Sequence, residues 1–246
     1  MIDATTLDVL LVIFVATLIR SAFGFGEALI AVPLLALRLP LTIAAPVAVL
    51  VSITIAAIIV AQDRKHVEWR SAGRLVFASL FGIPLGLMLL TSTHQKAAKI
   101  SLAILIILFS VYSLMGKPLA ELKTDRAAWL LFCGFIAGVL GGAYGMNGPP
   151  LAVYGSMRRW PARQFRATLQ GYFLPASIVG MAGYWWQGLW IPVVTRYYLI
   201  SLVAVVPAIL LGREINHRLG EGPSFSKYVY FALICIGVIL FVQALK

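Results

Sequence analysis

Glu27 and Arg20 are the residues of this 246-residue chain whose position most strongly suggests chemistry. Glu27 is the one carboxylate that lies inside an apolar segment away from the loops, and Arg20 precedes it by seven residues. A charge in such a segment is costly, so it is a functional candidate by default. Glu27 could carry a proton, since burial favours the neutral form of a carboxyl group. The alternatives, both open, are that Glu27 pairs with Arg20 or caps its own helix.

Glu27 belongs to the first of two glycine-rich stretches that interrupt long apolar segments. The first reads Ser21-Ala-Phe-Gly-Phe-Gly-Glu27, and the second reads Gly141-Gly-Ala-Tyr-Gly-Met-Asn-Gly-Pro-Pro150. Glycine and proline at this density disfavour a continuous helix. A helix that restarts inside the membrane exposes unpaired N–H groups, which glycine lets a ligand approach closely. We therefore expect two opposed anion-binding sites, with close helix packing by small residues as the alternative.

The residues expected to contact an anion lie in these stretches or beside them. Backbone N–H groups and the Arg20 guanidinium would face the anion, and the Asn147 amide could donate to it. Tyr144, Gln170 and Thr168 are equally well explained as interhelical hydrogen-bond partners. The predicted substrate-binding residues are Arg20, Ser21, Gly24, Gly26, Tyr144, Gly145, Asn147, Gly148 and Gln170, with Glu27 as the predicted proton-coupling residue.

Several function classes are excluded by what the apolar segments lack. The histidines His66, His94 and His217 lie in predicted loops, so no metal site, cofactor or Ser–His pair is expected within the membrane. No P-loop or hydrolase motif occurs, so we expect no enzyme, and any active transport must use an ion gradient or the substrate's own gradient. The basic run Arg158–Arg166 is explained by interfacial anchoring, or alternatively by a funnel for anions.

The elements that must position these residues are membrane-spanning helices. The chain is 61% hydrophobic and 12% charged, whereas a soluble domain carries about 25% charged residues. Its natural surroundings are therefore a lipid bilayer, and its net charge of +11 indicates membrane orientation before it indicates nucleic acid. The predicted spans are Leu41–Ala61, Arg70–Leu90, Ala98–Met115, Ala167–Gln187, Pro192–Gly212 and Tyr228–Leu245, and two further segments, Val9–Leu37 and Ala127–Met157, are predicted to be broken near the middle.

The two broken segments align with each other at a separation of 121 residues. The matches include Phe14 with Phe135, Gly24 with Gly145, Arg38 with Arg159 and Pro40 with Pro161. The sequence therefore predicts one transporter domain, residues 1–246, that contains two repeats, residues 8–116 and 127–246.

The loop cations decide how the broken segments cross the membrane. If each segment crosses once, the two sides carry eight and ten loop cations, which gives no orientation. If each is a hairpin that returns to its own side, the split becomes fourteen against four, a strong positive-inside bias. Each half then has an odd number of crossings, so the second half is inverted. We predict an all-α inverted-topology repeat with two re-entrant hairpins, six full spans and periplasmic termini. Two short full-height helices in place of each hairpin would give the same topology.

The stretches Ser21–Pro33 and Gly141–Tyr154 resemble the paired glycine-rich motifs of the TauE/SafE-type sulfite exporter family. The resemblance implies a secondary transporter that exports or facilitates sulfite, organosulfonates or related small anions across the bacterial inner membrane. Where the family commonly has a run of glycines, this sequence has Gly26-Glu27-Ala28 and Asn147-Gly148-Pro149. We expect Glu27 to carry a coupling proton, with a passive small-anion channel as the alternative. The direction of transport and a homo-oligomeric state are left open.

Overall fold

The computed structural model describes residues 4–91, 95–115, 121–122, 127–219 and 223–245. These residues form helices and no strands: α1 Ala4–Phe23, α2 Glu27–Ala36, α3 Leu41–Asp63, α4 Trp69–Thr91, α5 Gln95–Met115, α6 Ala127–Tyr144, α7 Gly148–Met157, α8 Ala162–Trp186, α9 Pro192–Leu219 and α10 Pro223–Leu245, with a 3-10 turn at Arg64–His66. Within the described part, six helices are long and apolar enough to cross a membrane. The chain is an all-α membrane protein, as predicted.

Four of the six apolar helices match predicted spans: α3, α4, α5 and α9. The other two are α1 and α6, which at 20 and 18 residues extend about 30 and 27 Å. The short helices α2 and α7 have 10 residues each, about 15 Å. The interruptions lie inside the stretches predicted for them, near the middle of each broken segment, but the first helix of each pair is also long enough to span alone. The predicted spans in α8 and α10 are also helical, within helices of 25 and 23 residues.

Both interruptions form where glycines allow left-handed backbone. Gly24 and Gly26 have φ angles of 86° and 101°, and Gly145 has a φ angle of 68°, values that side chains disfavour. The Gly24 N–H still donates to the Arg20 carbonyl at 2.6 Å, so α1 ends only at this point. The chain then restarts at Glu27 and at Gly148, 121 residues later.

Each short helix runs back along the long helix that precedes it. Asp8, near the start of α1, forms an ion pair with Arg38, which follows α2. In the second half, the Leu122 N–H donates to the Met157 carbonyl at 2.8 Å, and Arg158 Nη1 donates to the Leu122 carbonyl at 2.8 Å. Each broken segment therefore starts and finishes at the same end of the helix bundle.

The helices pack in pairs around a central crossing of α3 and α8. The pairs are α4 with α6, α1 with α9, and α5 with α10. In the α4–α6 pair, glycines bring the two backbones into direct contact. A Cβ on Gly138 would lie 2.7 Å from the Ser79 Cα, and one on Gly82 would lie 2.8 Å from the Val139 nitrogen. Small residues that permit such approach are typical of helix contacts in membranes.

Candidate functional site

The two interruptions line one small cavity. Its volume is about 20 Å³, room for about one water molecule. The lining residues are Gly26, Glu27, Ala28 and Leu29 from the first interruption, Gly145, Met146, Asn147, Gly148 and Pro149 from the second, and Arg20, Ser52 and Phe173 from the long helices. The N-termini of α2 and α7 thus meet at the same space.

The cavity lies at the mid-height of the bundle. Ser52 is the central residue of α3, about 17 Å from either end of that helix. The ends of α3 lie near the ends of neighbouring elements: Leu41 follows α2, and Asp63 pairs with Arg166, near the start of α8, at 3.6 Å.

Arg20 is the central polar group of this site. Its Nη1 donates to Glu27 Oε2 and, at 2.7 Å, to Ser52 Oγ, and its Nη2 donates to Gln170 Oε1 at 2.6 Å. The guanidinium also stacks over the Phe173 ring, 5.0 Å from the ring centroid. Residues of α2, α3 and α8 therefore fix the position of the guanidinium of Arg20, which is a residue of α1.

Arg20 and Glu27 form a buried ion pair, one of the two alternatives that the sequence left open. Arg20 is 2% exposed and Glu27 is 1% exposed. The pair does not use all of its hydrogen-bonding atoms: Glu27 Oε1 and Arg20 Nε have no hydrogen-bond partner in the described structure. Buried polar atoms without partners are uncommon. Glu27 Oε1 can accept a hydrogen bond or a proton, whereas the Arg20 Nε–H can only donate.

Gln170 does not line the cavity but holds the group that does. Its Oε1 accepts from Arg20, and its Nε2 donates to the Gly24 carbonyl at 2.7 Å. The side chain is fully buried. Gln170 therefore ties α8 to both the guanidinium and the first interruption, which makes it a positioning residue.

Three other predicted site residues face away from the cavity. Ser21 packs against Gly212 of α9, and Gly24 packs against the Arg166 side chain. The Tyr144 hydroxyl bonds Ser101 Oγ at 2.7 Å and so belongs to the contact with α5. The structure brings together the remaining predicted residues: Arg20, Gly26, Glu27, Gly145, Asn147 and Gly148 line the cavity, with Gln170 behind them.

Ser52 and Phe173 are lining residues that the sequence reasoning missed. Both lie in uninterrupted helices, where no glycine-rich stretch or intramembrane charge indicates a site. A signal was present: the two residues are 121 residues apart, the spacing that aligns the two halves. An alignment extended from the interruptions into α3 and α8 would have paired them.

The basic run Arg158–Arg166 lies at the end of the bundle where α8 begins, and several of its side chains form ion pairs or hydrogen bonds. Arg166 pairs with Asp63, Arg158 bonds the Leu122 carbonyl, and Gln164 Nε2 donates to Glu68 at 3.4 Å. Nearby, the Thr168 hydroxyl accepts from the Glu68 N–H at 3.0 Å. The Phe165 ring meets the Phe25 ring edge-on, with centroids 6.1 Å apart, on the side of the first interruption that faces this end.

Comparison with known proteins identifies the kind of molecule that carries this cavity. The family model described as "Sulfite exporter TauE/SafE" matches residues 9–240. The chain belongs to the TauE/SafE sulfite exporter family. A curated relative is similar over almost the whole length: the "Probable sulfite/organosulfonate exporter TauE" of Cupriavidus necator is 27% identical over 236 residues, which cover 94% of this chain and 91% of the relative. No solved structure matches the chain.

Membership of the TauE/SafE family makes the chain a multi-pass membrane transporter rather than an enzyme. Consistent with transport, the polar groups of the cavity are suited to binding. They comprise one cation, one carboxylate, a hydroxyl and an amide. Among the described residues, no group of three or more His, Cys, Asp or Glu side chains could hold a metal ion. His94 lies outside the described residues.

Proposed function

We propose that this TauE/SafE family member moves sulfite, an organosulfonate or a related small anion across the bacterial inner membrane. The observation that carries the proposal is the buried Arg20 guanidinium at the mid-height of the bundle, beside the N-termini of α2 and α7. Helix N-termini and a guanidinium both favour an anionic ligand. The name of the Cupriavidus necator relative supports sulfite and organosulfonates as the substrates to test first.

We also propose that residues 8–116 and 127–246 are repeats of inverted topology. In support, α2 and α7 begin 121 residues apart, and so do α3 and α8. The helix contacts follow the same correspondence. Helix α1 corresponds to α6, and α4 corresponds to α9, so the contact of α4 with α6 is the counterpart of the contact of α1 with α9. The proposed hairpins are re-entrant, with periplasmic termini. Several positions that bear on orientation lie outside the described residues: Met1–Asp3, Lys117, Lys123, Arg126 and Lys246.

Transport through this cavity requires a change of shape. A volume of about 20 Å³ holds about one water molecule, whereas sulfite has four non-hydrogen atoms. The described conformation is therefore closed around the site. Opening to either side by movement of one repeat against the other is the mechanism that inverted repeats favour.

Reconstituted protein in liposomes tests the proposal directly. We expect saturable flux of sulfite or of a sulfonate, measured in parallel with sulfate, thiosulfate, taurine and simple carboxylates. If Glu27 carries a coupling proton, an imposed pH gradient changes the steady-state distribution of the anion. Flux that ignores the pH gradient supports the passive channel instead, and absence of saturable flux for every anion overturns the proposal.

Replacing Gln170 by leucine tests the positioning of Arg20. The variant keeps a similar volume but removes hydrogen bonds to the guanidinium and to the Gly24 carbonyl. Because a hydrogen bond to a charged group contributes about 1.5–3 kcal/mol, we expect KM for the anion to rise roughly tenfold or more, with a smaller change in the maximal rate. The concentration dependence of liposome flux measures both quantities.

The matched control for this variant is Gln243→Leu. Gln243 Nε2 donates to the Leu37 carbonyl at 3.1 Å, on the exposed surface beyond the C-terminus of α2. We expect its KM to equal that of the unmodified protein. An unchanged KM in Gln170→Leu would show that Gln170 does not position the anion site.

A further inference from the structure

We infer that a singly charged anion and one proton occupy the cavity together, the anion replacing the Glu27 carboxylate on Arg20 while Glu27 holds the proton. The inference rests on the proposed function and specifies its coupling. It makes the protein a co-transporter of protons and monovalent anions such as sulfonates or hydrogen sulfite. Proton and anion then move in the same direction.

The charges around Glu27 are the basis of this inference. Arg20 from α1 is the charged group that acts on Glu27 in the described structure. The other side chains that line the cavity from neighbouring elements are uncharged: Ser52 from α3, Asn147 from the second interruption and Phe173 from α8. Helices α5 and α10 also pack against α2, and their described side chains bring no charge to Glu27. The empty site therefore contains one cationic and one anionic side chain, and its net charge is zero.

Charge balance decides what can enter. An anion added to the intact ion pair would leave one uncompensated negative charge in a buried space, at a cost of several kcal/mol. An anion that arrives with a proton leaves Arg20 positive, the ligand negative and Glu27 neutral. The loaded site then has the same zero net charge as the empty one.

The structure has hydrogen-bonding atoms available for both the proton and the anion. Glu27 Oε1 and Arg20 Nε are buried and lack hydrogen-bond partners. A protonated Glu27 can donate its O–H to an oxygen of the anion, while the guanidinium donates to the others. The N-terminus of α2 has no side-chain cap, so the N–H groups of its first turn have no helical carbonyl partner. In α7, which also lacks a side-chain cap, Pro149 and Pro150 have no N–H, and Gly148 is the donor that precedes them.

The proton is accounted for at each step. It passes from water to Glu27 on the side where the anion enters, and it returns to water on the side where the anion leaves. One cycle moves one proton and one negative charge together and is electroneutral. A doubly charged anion such as sulfate would leave the site with a net negative charge and is disfavoured for that reason.

Methanesulfonate is the probe, because it is singly charged at every pH near neutrality and carries no proton itself. Liposomes containing the protein are loaded with methanesulfonate and a pH-sensitive dye, and the membrane potential is set with potassium and valinomycin. We expect efflux to make the interior alkaline, with about one proton leaving per anion and a rate independent of the potential. Efflux without a pH change, with acidification, or with a rate that follows the potential overturns the inference but leaves the proposed function standing. Absence of saturable methanesulfonate flux overturns the inference, and absence of saturable flux for every anion tested overturns the proposed function as well.

Binding in detergent gives a second readout that does not depend on transport. If one proton binds with each anion, the Kd for methanesulfonate rises about tenfold per pH unit at pH values where Glu27 of the empty protein is ionised. The Glu27→Gln variant should lose this slope. Asp8→Asn, the same change in the exposed pair with Arg38, should keep it. A Kd of the unmodified protein that is constant with pH, or a slope that survives in Glu27→Gln, overturns the inference.

Discussion

Substituting Arg20 by glutamine should abolish anion transport and destabilise the protein, whereas substituting both Arg20 and Glu27 by glutamine should restore stability without restoring transport. The single change leaves a carboxylate that is 1% exposed without its cation. Breaking a buried pair in this way costs about 3–5 kcal/mol, whereas removing both charges is close to neutral. Transport stays absent in both variants because the anion has lost the guanidinium. Thermal unfolding in detergent and liposome flux measure the two effects.

The exposed pair of Asp8 and Arg38 is the control for this experiment. Its side chains are 39% and 63% exposed, so its contribution should be about 0–1 kcal/mol. We expect Arg38→Gln to change neither unfolding nor flux appreciably. Equal effects of Arg20→Gln and Arg38→Gln would contradict a special role for the buried pair, and anion flux in the double variant would show that Arg20 does not bind the anion.

A single methyl group at Gly138 should destabilise the protein, because the α4–α6 contact leaves no space for it. The Cβ of Gly138→Ala would lie 2.7 Å from the Ser79 Cα, a backbone atom that cannot rotate away. Overpacking typically costs about 1–3 kcal/mol, and here two helices must separate along their length. Gly82→Ala, on the facing helix, should behave in the same way. The midpoint of thermal unfolding in detergent measures the loss.

Gly73→Ala provides the matched control within α4. A Cβ at Gly73 meets no atom within 4 Å. Alanine is the better helix former by up to about 1 kcal/mol, so this variant should be as stable as the unmodified protein or slightly more stable. If Gly138→Ala unfolded at the same temperature as Gly73→Ala, the close contact of α4 with α6 would not contribute to stability.

The sequence predicted the helical interruptions because their cause is local. Glycines at positions 24, 26 and 145 adopt backbone angles that other residues avoid, and this preference is visible in any sequence. The start of α1 was not visible in the same way. Residues Ala4–Asp8 carry a mixture of polar and apolar side chains, and α1 includes them, whereas the predicted segment began at Val9.

The site was predictable to the extent that single residues revealed it. Glu27 and Arg20 stand out as charges within apolar sequence, and Asn147 as an amide beside glycines. Their partners could not be read from spacing. Ser52 and Gln170 reach Arg20 from 32 and 150 residues away, and such contacts arise only when α3 and α8 cross.

The cavity charges belong to one half of the chain only. At a spacing of 121 residues, Arg20 corresponds to Gly141, and Glu27 corresponds to Gly148. Under the proposed inverted repeat, identical halves would make the inward-open and outward-open forms two-fold images of each other, with equal energy. Charges on one half remove that equality. The empty protein should therefore open more readily to one side than to the other, even in a membrane that sustains no gradient.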